Sequence, residues 1–316
     1  MRMITDVQKQ TLEDLSAEGL LKGLPLQTAE KDIHVTELLR GLSLAQVHHD
    51  HFSSIDSRQG DARRHDPGIR LVFSGGTCLS KAYALIDRMS EDIDIKVVLD
   101  PTPTPLKKGR GDRARLNALH DLIAELLEEL GFPILEYPEG SNPAIRDSHR
   151  YYVVGAGYKT RYDEFASLRP ELKLELIQRT PLLPLERREF GYLHEHIAGI
   201  PLSCPLTIEC VSMAETAVEK VLSLLRRCAY KWDGHQTNGD IDPAWCDMST
   251  TSHASTSTLP TRFQRQGTSF PGWWRTINVS SPNRIPTLTR TPLACCGGRW
   301  RQPDRTVNFR SSTGSI

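Results

Sequence analysis

The chain has 316 residues, enough for one large or two ordinary domains. Its 39 basic and 39 acidic side chains cancel, which excludes a global field that would draw in nucleic acid or an anionic membrane. Seven cysteines without metal-site spacing argue for reduced thiols over a disulfide framework. The absence of an apolar signal core and of any run of about eighteen apolar residues predicts a cytoplasmic protein with no membrane partner.

Residues 1–70 read as an N-terminal helical segment. Leu38, Leu39, Leu42, Leu44 and Val47 supply an apolar stripe that ends in His48, His49, Asp50 and His51. These imidazoles read as a solvated turn favoured by the helix dipole, not as a metal site. Ser53 to Pro67 is charged and polar, a loop ahead of the next strand.

Leu71, Val72 and Phe73 predict a short buried strand, broken by Ser74, Gly75 and Gly76. Leu79, Ala82, Tyr83 and Ile86 then recur at helical spacing, so the free N–H groups of a helix start face back to the glycine turn, where a phosphate is favoured. Thr77 stands where it caps that helix or touches the ligand. Ile93, Ile95 and Val97 alternate with polar residues as in a strand with one buried face. Asp92 and Asp94 share the other face, about 7 Å apart, near enough to hold one or two magnesium ions jointly. Such ions clamp a triphosphate and activate an attacking oxygen. Taken singly, the glycine turn is only a turn, and the Asp pair equally suits a solvated edge or the metal-binding pair of a glycosyltransferase. Their order along the chain favours a nucleotide held beside a metal.

Pro101 to Asp112 reads as a loop beside this strand, with Lys107, Lys108 and Arg110 as a basic patch, either solvated or a guide for RNA or triphosphate. From Arg113 to Leu130 the spacing of Leu116, Leu119, Leu122, Ile123, Leu126, Leu127 and Leu130 predicts an amphipathic helix, stopped by Gly131 and Pro133. Tyr151 to Tyr158 reads as a strand. Glu171 to Ile177 alternates cleanly, with Lys173 and Glu175 on one face and Leu172, Leu174 and Leu176 on the core face. From Ser212 to Arg227 a broad apolar stripe predicts another helix, with Ser212 and Glu215 as a capping box. The fold class is α/β (α+β), a small mixed sheet flanked by helices over residues 71–231.

Ser74 to Lys81, followed by Arg88 to Asp94, resembles the signature of the AbiEii/AbiGii toxin family within the DNA polymerase beta-like nucleotidyltransferase superfamily. The superfamily pattern is a glycine turn, a helix, a strand with two acids, and a third acid on a neighbouring strand, here matched by Glu175. The helix from Ser212 to Arg227 is similar to the family's E-x-x-x-E-K helix, and Lys220 matches its lysine. The resemblance implies transfer of a nucleoside monophosphate from an NTP to an acceptor hydroxyl, with release of pyrophosphate. It implies that Asp92, Asp94 and Glu175 hold Mg2+, with Asp94 or Glu175 helping to deprotonate the acceptor. Gly75, Gly76 and Thr77 would cradle the phosphates, with Lys81, Lys173 and Lys220 balancing their charge. It further implies a bacterial toxin of a toxin-antitoxin or phage-defence pair with a co-encoded antitoxin, often a winged-helix regulator; a tRNA acceptor is known in related toxins. The competing readings are an inactive member of the same family, a non-catalytic nucleotide- or RNA-binding protein, and a glycosyltransferase.

After Lys231 the composition changes: neither Lys nor Glu occurs again, basic charge is carried by Arg alone, and Trp245, Trp273, Trp274 and Trp300 fall among Ser, Thr and Pro. Residues 232–316 thus read as an aberrant tail of low order. An Arg- and Trp-rich nucleic-acid arm and a disordered linker both fit this composition. The favoured reading is a shifted frame. Reread from the third nucleotide of its first codon, Ala244 to Ser252 can encode Leu-Val-Arg-His-Val-Tyr-Asp-Ile, similar to the R-x-x-x-D-h motif that closes the family's core. The gene sequence is expected to keep that alternative frame open over these codons; stop codons there would exclude the shift.

Overall fold

The computed structural model describes residues 1–53, 63–85, 92–135, 144–163 and 168–232, without the side chains of 230–232. The expected aberrant tail from 233 onward lies outside the described residues, as does Ile86.

Two helices open the chain, α1 (Asp6–Ala17) and α2 (Leu26–Leu44). Thr5 and Gln8 cap α1 reciprocally, each side chain accepting the other's backbone N–H. The short strands β1 (His48–His49) and β2 (Arg64–His65) pair with each other. Then come β3 (Ile69–Ser74), α3 (Gly75–Lys81), β4 (Asp92–Leu99), α4 (Asp112–Glu129), β5 (Ala144–Arg146), β6 (Tyr151–Gly157) and β7 (Glu171–Gln178). The order closes with β8 (Glu186–Phe190), α5 (Leu193–Ala198), β9 (Leu206–Cys210) and α6 (Met213–Trp232).

A seven-stranded mixed sheet of order β5-β6-β7-β4-β3-β9-β8 organises these elements. It is larger than the sequence pattern predicts: β8 has four charged residues in five and no apolar alternation, whereas β9 alternates Leu206, Ile208 and Cys210 with Thr207 and Glu209 and joins the sheet beside β3. β4 runs parallel to β7 and antiparallel to β3, so it is paired on both sides. Its residues Ile93, Ile95 and Val97 are buried with Val35, Leu38 and Leu39 of α2 and with Leu116, Leu119 and Ile123 of α4. Asp92, Asp94 and Lys96 take the opposite face, toward α6. This is the period-2 separation of apolar and polar positions that a one-sided core demands.

The N-terminal segment departs from expectation in two ways. His49 is buried, not solvated: its Nε2 lies 2.9 Å from Asp66 Oδ2. Asp66, within the expected polar loop, is fully buried and receives Arg115 Nε at 2.7 Å and Nη2 at 3.1 Å. A buried guanidinium must be matched by a carboxylate, and this pairing ties Asp66 to α4; residues 54–62 of the expected loop lie outside the described residues. The helix after the glycine turn is shorter than predicted. Ala84 takes a left-handed conformation (φ 50°) and Leu85 N–H returns to Leu79 O at 3.1 Å, which ends the helix at Lys81. The basic loop from Pro101 to Asp112 follows β4 directly, at the end remote from its aspartates.

α2 carries an uncompensated buried histidine. His34 is fully buried, with its ring 4.3 Å from Tyr158 and 5.9 Å from Phe132. Neither ring nitrogen has a hydrogen-bond partner among the described residues. Burial, then the charge of Arg2, pushes its pKa down to about 3. The folded protein therefore holds His34 neutral while the unfolded chain charges it near its ordinary value of 6.5, so stability is lost as pH falls below 6.5. The expected loss is about 2–3 kcal/mol between pH 6.5 and 4.5. Urea unfolding of the wild type and of His34→Leu checks this, the variant being expected to lack that share of the pH dependence.

Candidate active site

The residues singled out on β4 and β7 are brought together by strand register. In the parallel pair, Asp92 lies opposite Lys173 and Asp94 opposite Glu175, so four charged side chains form a two-by-two array on one face. Lys173 Nζ stands 3.3 Å from Asp92 Oδ2 and 3.6 Å from Glu175 Oε2. Burial alone would lower the Lys173 ammonium, but Asp92 and then Glu175 outweigh it and hold it above its ordinary value.

Asp94 is the electrostatic centre. Burial first, then the negative charges of Glu175 and Asp92, push its carboxyl up to about 7, against smaller opposing contributions from Lys173 and Lys220. Lys220, on the half-buried inner side of α6, is thus within electrostatic reach of the carboxylates.

The glycine turn closes against the same carboxylate. Ser74 pairs with Asp94 across the β3–β4 ladder and donates its hydroxyl to Asp94 O at 3.1 Å. Gly75 has φ +76°, and a Cβ there would stand 1.9 Å from Asp94 Oδ2. No side chain fits, so glycine at this position is required by both the backbone and the carboxylate. Thr77 is buried and donates its hydroxyl to Asp92 O, which ties α3 to β4. That hydroxyl is spent on the strand and not on a helix cap, since Ser74 is the N-cap residue.

The structure does not bring Lys81 to this array. Its ammonium is buried 2.5 Å from Asp32 Oδ1 and donates to Gly191 O at 3.3 Å, so its charge is committed between α2 and the segment before α5.

Several groups at the site escape the sequence pattern. Lys96 is buried and donates to Glu215 Oε1 at 2.9 Å and Glu219 Oε1 at 2.8 Å. Glu215 also accepts the backbone N–H groups of Leu182 and Leu183, each at 2.9 Å. The expected capping box is therefore half formed: Glu215 N–H donates to Ser212 Oγ at 3.3 Å, while the Glu215 carboxylate turns inward to Lys96. The alternation of β4 puts Lys96 on the polar face with Asp92 and Asp94, and only the packing of α6 buries it and shows what answers its charge. Tyr151 of β6 bonds Glu175, and burial followed by Glu175 raises its hydroxyl pKa. Arg179 and Arg226 complete a cavity of about 250 Å³ together with Gly75, Asp94, Glu175 and Glu219.

Among the described residues no group of three His, Cys, Asp or Glu side chains is drawn together as a metal-ion cage. Asp92 is turned to Lys173, and that ammonium stands where the carboxylate charge is densest. The donor chemistry nonetheless fits a hard divalent cation: oxygen ligands on adjacent strands, one of them pushed toward neutrality by burial and then by its neighbours' charge. No described helix is long and apolar enough to cross a membrane.

The raised Asp94 pKa fixes a stability trend. The folded state holds its proton more tightly than the unfolded chain, so this stabilisation is complete below about pH 4 and is lost as pH rises to about 7. In excess chelator, Asp94→Asn is expected to gain stability relative to the wild type as pH rises from 4 to 8, by at most about 4 kcal/mol. Urea unfolding at both ends of that range measures it; a pH-independent difference would contradict the electrostatic origin.

A comparison with known protein families matches residues 61–235, more than half the chain, to the family described as nucleotidyl transferase AbiEii toxin, type IV TA system. No curated protein matches the chain.

Proposed function

From the premise that this chain belongs to the AbiEii nucleotidyl transferase toxin family, we propose that it transfers a nucleoside monophosphate from an NTP to an acceptor hydroxyl, releasing pyrophosphate. The observation that carries this reading is the register that sets Asp94 beside Glu175 with Gly75 closed against Asp94. Asp92, Asp94 and Glu175 are the residues that would hold Mg2+, which when bound neutralises phosphate charge and polarises the reacting oxygens.

The chain's own groups supply the rest. Gly75 and Gly76 leave room for phosphate oxygens to approach the backbone at the start of α3, and Thr77 holds that backbone to β4. Lys173 and Lys220 balance the charge of the triphosphate, whereas Lys81, fixed to Asp32, supports α3 from behind. Asp94 or Glu175 accepts the proton of the acceptor hydroxyl as its oxygen attacks the α-phosphorus. The bond from that phosphorus to the pyrophosphate oxygen breaks, and Lys173 and Lys220 stabilise the departing charge. The acceptor is proposed to be RNA, tRNA included. The chain is proposed to act in the cytoplasm, as the toxin of a pair with a co-encoded antitoxin.

Incubation with each labelled NTP, Mg2+ and total RNA tests the reading. Label is expected in RNA with the wild type and is expected to fall at least about 100-fold in Asp94→Asn and Glu175→Gln, with circular dichroism confirming that the variants fold. Transfer that survives both substitutions would refute the assignment, and no label from any NTP would mark the chain as inactive.

A further inference from the structure

A second cavity, of about 280 Å³, lies beyond the end of β4 remote from the aspartates and is lined by His51, Arg110, Arg113, Asn117 and His149. No carboxylate is among its lining residues. The acidic side chains nearby in sequence are engaged: Asp50 stands 3.1 Å from His51 Nδ1, Asp112 3.7 Å from Arg115, and Asp121 accepts from the Asn117 amide at 3.4 Å, which leaves Arg110 and Arg113 as the principal donors of the lining. Arg110 and Arg113 are exposed at the rim.

Both walls are built before anything binds. The loop carrying Arg110 is fastened by Lys107 N–H to His51 O at 2.7 Å and Arg110 N–H to Lys107 O at 2.9 Å, next to a bridge between Phe52 and Leu106. His149 ends a turn in which Asp147, Ser148 and His149 have φ of 48°, 54° and 71°. Its ring is stacked on His120 with centroids 5.3 Å apart. The opposite wall is the first turn of α4, with Arg113 and Asn117 one turn apart.

The guanidinium groups of Arg110 and Arg113 are suited to phosphate oxygens, and Ala114 is the one aliphatic side chain of the lining, too little to bind an apolar ligand. The location excludes the triphosphate of the transfer site. Asp94 and Asp100 are six steps apart along β4 and its exit, about 20 Å at the rise of an extended strand. The two sites also lie on opposite faces, since α4 packs on the Ile93 side of the sheet and α6 on the Lys96 side.

We propose that this pocket docks the phosphodiester backbone of a polynucleotide acceptor while the reacting hydroxyl lies at Asp94 and Glu175. The inference rests on the transfer reading and deepens it: the RNA acceptor gains a second point of contact, away from the reacting groups. A strand stacked as in a duplex advances about 3.4 Å per phosphate, so roughly six stacked nucleotides cover that distance and a dodecamer reaches both places with length to spare.

The test is fluorescence anisotropy of the full chain with labelled single-stranded RNA, a trimer and a dodecamer, over a range of salt and without NTP. The wild type is expected to bind the dodecamer at least tenfold more tightly than the trimer. Arg110→Gln/Arg113→Gln, which alters exposed side chains only, is expected to lose that preference and to flatten the slope of log K against log salt by about 1.4, two phosphate contacts on a single strand. Arg187→Gln, an exposed arginine of β8, controls for overall charge and is expected to bind as the wild type does. Unchanged binding in the double variant, an equal loss in Arg187→Gln, or a wild type with no length preference overturns the docking site. RNA held through these arginines without label transfer from any NTP overturns the transfer reading instead.

Discussion

The parallel pairing of β4 with β7 is the constraint on which the rest of the site depends. It lies inside the sheet, with β3 and β6 closing it on either side, so neither strand can slide without breaking two ladders. Each strand alternates apolar and charged residues, and a slip of one position would carry Ile93, Ile95, Leu172 and Leu174 out of the core and the carboxylates into it. The apolar core thus enforces a register that concentrates negative charge at Asp94. The raised pKa of Asp94 comes first from its burial and then from that concentration of charge, a cost borne by packing elsewhere in the sheet.

Buried charge also ties the helices to this frame. Lys96 joins β4 to α6 through Glu215 and Glu219; Lys81 joins α3 to α2 through Asp32; Arg115 joins α4 to the segment before β3 through Asp66. In each case removal of one partner strands a charge in a low-dielectric interior, an effect worth about 3–5 kcal/mol. These pairs are directional where apolar packing is not, so they set the approach of α6 and α3 to the carboxylates. Lys220 reaches the field of Asp94 because Lys96 and the two glutamates hold α6 over that face. Lys81 plays a comparable part from behind, and this is why a lysine beside the glycine turn is absent from the array it resembles by position.

Much of the site was legible because its signals are local. Asp92 and Asp94, like Lys173 and Glu175, are two residues apart on strands whose alternation fixes their face, and the apolar spacing of α4 and α6 marks those helices without reference to anything else. The parts that escaped are non-local. His49 and Asp66 read as solvated because nothing near them in sequence shows that Arg115 will be buried above them. Glu215 read as a helix cap because its real partners, Lys96 and the N–H groups of Leu182 and Leu183, come from distant segments. β8 escaped because four of its five residues are charged, so only its pairing with β9 makes it a strand.

The sequence by itself determined the two strand faces, the glycine that must stand before the first aspartate pair, and the family to which residues 61–235 belong. Tertiary structure alone decided which charges meet: Asp94 with Glu175, Lys96 with Glu215, Lys81 with Asp32, and the gathering of His51, Arg110, Arg113 and His149 around one cavity. The reason is one of range. Periodicity and turn chemistry act over a few residues, whereas the partner of a buried charge is chosen by the packing of the whole domain.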